Sequence, residues 1–86
     1  MLISIYKVYY TFQEVIDNKL EEAICDESVK VVVENGGALE AAYKVQDILE
    51  RKVSRFPDET NPEKEYEVRF TNIIIKQVEL VAEAEK

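Results

Sequence analysis

Eighty-six residues, 47 % apolar and 34 % charged with only two Gly and two Pro, describe one globular domain (1–86) rather than a disordered or fibrous chain. Folding such a chain removes only roughly 60 to 65 % of its unfolded surface from water, so its stability is expected to be modest. The formal net charge is −7, Lys and Arg are outnumbered 11 to 18, and no basic stripe is present, which argues against direct nucleic-acid binding and against attachment to anionic lipid.

Cys25 is the single cysteine, so no internal disulfide can form. A secreted domain this small would ordinarily carry several, so a reducing, cytoplasmic setting is expected. Met1 to Tyr10 is apolar, but Lys7 interrupts it, and neither a basic leader nor a small-residue cleavage site accompanies it. It reads as a strand. No apolar run approaches the roughly 20 residues needed to cross a bilayer.

A two-residue turn at Asp17-Asn18 predicts an antiparallel hairpin in which facing residue numbers sum to 35. One face then gathers Leu2, Ser4, Tyr6, Val8, Tyr10 and Phe12 with Val33, Val31, Val29, Glu27, Cys25 and Ala23, of which only Ser4 and Glu27 are polar. A one-residue slip would move one strand's apolar set to the other side. The alternative for 18–26 is a short helix capped by Asn18, with Glu21 three residues on.

Leu39, Ala42, Val45, Leu49 and Val53 recur at three- and four-residue spacing and predict a helix over 38–54, its stripe widened by Ala38, Ala41 and Ile48. Glu40 with Lys44 and Asp47 with Arg51 stand four apart in the favourable order. Asn35-Gly36-Gly37 leads into the helix, with the glycines expected to supply left-handed backbone, and Phe56-Pro57 stops it. Next, Tyr66, Val68, Phe70, Ile74, Val78, Leu80 and Ala82 alternate with mainly polar neighbours, which predicts a strand bent or bulged near Asn72 and frayed over 83–86.

The expected fold is therefore α+β, β-β-α-β, a three-stranded mainly antiparallel sheet of order 2-1-3 with one helix packed on one face. Residues 14–28 carry net −5 and residues 57–67 net −4. The topology should bring both to one end, gathering Glu14, Asp17, Glu21, Glu22, Asp58, Glu59, Glu63 and Glu65 into an acidic pole able to steer a basic partner. The face away from the helix would show Ile3, Ile5, Tyr9, Ile24, Val32, Ile73, Ile75 and Val81 among Lys7, Lys30, Asp26, Arg69 and Glu79. That is much apolar surface for a solvated face, and it suggests a homodimer or partner interface.

Chemistry is sparse. With no histidine, the commonest general base and transition-metal ligand is missing, and zinc has no ligand set. Asp58-Glu59-Thr60-Asn61 lacks the spacing and central glycine of a calcium loop. No catalytic residue, metal or cofactor is expected. The tyrosines lack the basic surround that base stacking needs. The chain reads as a small acidic protein-binding module, an adaptor or inhibitor of a macromolecular partner, of a size and acidity also found among phage and mobile-element accessory proteins. The alternative is a nucleotide-like ligand held at a dimer seam, with its phosphate near Gly36 and Gly37.

Overall fold

The computed structural model describes every residue from Met1 to Lys86. In chain order it contains β1 (Leu2–Ile16), β2 (Lys19–Leu20), β3 (Cys25–Glu34), α1 (Ala38–Arg51), β4 (Val53–Pro57) and β5 (Glu65–Glu85). The class is α+β, one helix on an antiparallel sheet. The expected three strands in order 2-1-3 are corrected: there are five, in the order β2-β1-β5-β4, with β3 also paired to β1.

The hairpin turns at Asp17-Asn18, whose φ values of 49° and 67° are the two positive angles of a turn that matches strand twist. Beside the turn, Val15 faces Leu20 and Ile16 faces Lys19, so the sums are 35. The Glu21 N–H still donates to the Glu14 carbonyl at 2.8 Å, residues 22–24 then leave the ladder, and the Gln13 amide fills the gap by donating to the carbonyls of Glu21 and Glu22 at 3.3 and 3.2 Å. β3 resumes two residues out of step, from Phe12 opposite Cys25 to Ile3 opposite Glu34. A two-residue shift preserves parity, so side chains keep their faces while changing partners. The helical alternative for 18–26 does not form.

Between β3 and α1 the left-handed residue is Asn35, at φ 50°, and neither glycine has positive φ. Asn35 is held there because its Oδ1 accepts the Leu2 N–H at 2.9 Å. Gly36 is required by space instead, since a Cβ there would stand 2.6 Å from Val33 Cγ1. The Gly37 N–H, free of any intrahelical partner, donates to Glu40 Oε2 at 2.8 Å.

The helix ends at Arg51, short of the expected 54. Val53 to Pro57 form β4 against β5, Val53 facing Arg69 and Phe56 facing Tyr66, with the two rings stacked 5.4 Å apart. Ala41, Val45 and Leu49 are the buried helix residues, whereas Leu39 and Ile48, both placed on the apolar stripe by spacing, are more than half exposed. These three close the core with Val8, Tyr10 and Phe12 of β1 and Val31 and Val33 of β3.

β5 runs unbroken for 21 residues and carries three single-residue register shifts against β1. One falls at Asn72, φ 51°, as expected, and the others lie opposite Ile5/Tyr6 and Tyr9/Tyr10. Each shift exchanges the faces of the strand. The far end does not fray: Glu85 pairs with Leu2, and the Lys86 N–H donates to the Met1 carbonyl at 2.7 Å.

The 15 residues of β1 span roughly 50 Å at 3.3 Å each, which sets the longest of the molecular dimensions, 51 × 24 × 16 Å. The radius of gyration, 16.0 Å, exceeds the roughly 12 Å of a compact chain this long. Likewise the accessible surface of 6260 Å² exceeds by about 1,000 Å² what a compact 10.0 kDa monomer shows.

Candidate functional site

One helix covers one face of the sheet, and the other face lies open. The register assigns it Ile3, Ile5, Lys7 and Tyr9 of β1, Val32 and Lys30 of β3, and Ala84, Ala82, Glu79 and Gln77 of β5. Ile5 faces Val32 on one side and Ala82 on the other, and Ile3 faces Ala84, so the apolar patch is concentrated where β1 begins. A polar belt bounds it: Lys7 Nζ lies 5.1 Å from the centre of the Tyr9 ring, and the Tyr9 hydroxyl donates to Glu79 at 3.1 Å.

Two of the expected interface residues belong elsewhere. Ile73 and Ile75 pack against the core on the helix side, and Ile74, assigned to the core by alternation, is 61 % exposed. The shift at Asn72 exchanges the faces before this triplet, and the next shift, opposite Tyr9/Tyr10, exchanges them back, so that Val78 again meets the core. Ile24 sits in the irregular 21–24 stretch, exposed at the β3 end of the hairpin.

The acidic residues collect at the opposite end of β1. The Asp17 N–H donates to the Glu67 carbonyl and the Glu67 N–H to Asp17 Oδ1, both at 3.0 Å, which fastens the hairpin tip to the start of β5. The loop from Asp58 to Lys64 therefore lies beyond the tip at the same end. Of the eight acidic residues proposed there, none forms an ion pair. Three have local duties: Asp17 as above, Glu14 as acceptor from the Cys25 thiol at 3.8 Å, and Asp58 as acceptor from the Thr60 N–H and hydroxyl at 2.9 and 2.7 Å. The Thr60 bonds hold the Asp58 carboxyl below its ordinary range. Glu21, Glu22, Glu59, Glu63 and Glu65 are exposed with no side-chain partner.

Glu67 was not among these candidates, yet it joins the end together. Arg69 Nε lies 3.0 Å and Arg55 Nη2 3.8 Å from its carboxylate. The Arg69 hydrogen bond holds Glu67 low and in turn raises Arg69. The sequence signal was present, since Glu67 and Arg69 stand two apart on one strand face. Arg55 carries no such signal, because it meets Glu67 only through the pairing of β4 with β5.

No group of three or more His, Cys, Asp or Glu is placed to hold a metal ion. Burial, and then the nearby Glu14 and Glu27 carboxylates, push the Cys25 thiol up, away from the nucleophilic thiolate. The start of α1 is occupied by the Glu40 carboxylate, which would repel a phosphate approaching Gly37. A cavity of about 180 Å³ lies between α1 and β3, lined by Val29, Val31, Val45 and Ile48 with Lys30 and Lys52. No helix is long and apolar enough to cross a membrane. No family model, curated protein or solved structure matches the chain.

Proposed function

We propose that this chain is a small acidic, non-catalytic adaptor or inhibitor that docks on a macromolecular partner. One observation carries it: an apolar patch on the open face and an unpaired acidic end stand at opposite ends of one continuous strand. From Ile5 to Glu14 is roughly 30 Å of extended backbone, so the two surfaces can engage separate features of a partner. The patch supplies desolvation on contact. The acidic end supplies steering towards a basic protein surface, effective within about a Debye length of 8 Å at physiological salt.

The test is capture of the partner by the immobilised wild type, by Ile5→Lys, and by Glu21→Lys/Glu22→Lys. The expected result is loss of capture by Ile5→Lys, and weaker capture with less salt dependence for the acidic-end variant. A partner retained equally by both variants overturns the proposal. A raised melting temperature with nucleotides, in a thermal-shift screen, would replace it with the ligand-binding alternative.

A further inference from the structure

β3 is an edge strand. Its only partner is β1, and the opposite side of its backbone meets no strand. The hydrogen bond from the Asn35 N–H to the Leu2 carbonyl fixes the phase of the β1/β3 ladder. Antiparallel alternation then sends the backbone groups of Asp26, Ser28, Lys30, Val32 and Glu34 outward, away from β1. The fold itself supports this phase: Lys44 Nζ reaches from α1 to donate to the Val32 carbonyl at 2.8 Å. Expected to pair with Glu40, Lys44 instead blunts this edge at one point. The edge from Asp26 to Lys30 has no such cover.

An exposed edge is a template for another strand, and the order of side chains along this one specifies which. We infer that a second copy of this chain pairs with it, β3 against β3, antiparallel about a two-fold axis at Ser28. In that register Asp26 of each copy stands opposite Lys30 of the other, twice per dimer. The three pairs Asp26/Lys30, Ser28/Ser28 and Lys30/Asp26 exchange about six backbone hydrogen bonds. Asp26 keeps its existing neighbour, Lys76 at 3.5 Å, on the same open face. On the helix side Glu27 comes to lie across from Val29 of the second copy, beside the cavity that carries Lys52.

An axis at residue 32 would also pair opposite charges, Lys30 with Glu34, but it needs the Val32 carbonyl that Lys44 already occupies; the remaining symmetric registers fail on charge. An axis at residue 26 or 27 sets Asp26 or Glu27 against itself. An axis at residue 30 sets Lys30 against itself and Asp26 against Glu34. An axis at residue 29 leaves Asp26 and Lys30 without charged partners. Like charges directly opposite are destabilising and opposite charges favourable, so Ser28 is the self-complementary centre.

This inference deepens the binding-module reading without sharing its surface, because the edge pair leaves both open faces and both acidic ends free. Its test is the solution mass by light scattering with size exclusion, with circular dichroism as the folding control. Wild type is expected at twice the 10.0 kDa chain mass. Asp26→Lys and Lys30→Asp should each fall to the monomer, and Asp26→Lys/Lys30→Asp should restore the dimer. Ser28→Pro should be a folded monomer, since it removes an N–H that serves only the edge. A monomeric wild type, or a dimer that survives Ser28→Pro, overturns the inference. Partner capture by Ser28→Pro is a separate readout, so loss of the dimer and loss of the binding function are distinguishable.

Discussion

Glu40 shows how much one side chain can do at a helix start. Its carboxylate accepts the Gly37 N–H at 2.8 Å, and this bond holds its pKa below the ordinary value. A carboxyl with a lowered folded pKa contributes stability above the unfolded value, about 4.3, and that contribution is lost as the pH falls through the lower folded value. The melting temperature of the wild type should therefore drop from about pH 5 to about pH 2, and Glu40→Gln should drop less over the same span. A residual slope is expected from Asp58 and Glu67, both also held low by hydrogen bonds. Thermal melts across that range check it, and identical slopes for the two proteins would show that the cap carries no charge-dependent stability. Gly36 teaches the complementary point. Its role is room for Val33, which no local pattern announces.

Elements were legible where two independent rules agreed. The hairpin combined a turn signal with alternation, and both survive in the structure. What escaped notice was the two-residue slip at 21–24, because parity is blind to an even shift. Val53 continues the helical stripe expected over 38–54, and only its pairing with Arg69 of β5 places it in a strand. The run Ile73-Ile74-Ile75 is apolar at every position, so its sequence cannot say which members face inward, and the shift at Asn72 selects the outer two. The same ambiguity misassigned part of the open face. The apolar positions of β1 keep the faces that alternation gives them, whereas the acidic segments 14–28 and 57–67 meet only through the bonds between the hairpin tip and β5. Asn72 itself is a test of the bulge: with φ at 51°, a β-branched residue is strained. Asn72→Val should lose roughly 1–2 kcal/mol relative to Asn72→Gly in urea unfolding. Equal stabilities would mean that the strand relaxes without a left-handed residue.

At the scale of the whole molecule, a single helix on a sheet 51 Å long leaves much of the chain outside any core. Ten residues are buried, so little of the stability can come from an enclosed interior, and association should supply part of it. If β3 edges pair, the melting temperature should rise with protein concentration in the wild type and stay flat in Ser28→Pro. Thermal melts over a dilution series distinguish the two behaviours.

The corrugation of β5 bears on where such assembly stops. From Phe70 onward no strand pairs with its outer side, so the chain offers a second long margin on which another molecule could add and start an endless ribbon. Three kinks along that margin break the even spacing of donors and acceptors that an incoming straight strand would need. Addition along β5 is thereby disfavoured, and a smooth margin that matches itself closes after two molecules instead of propagating into a filament.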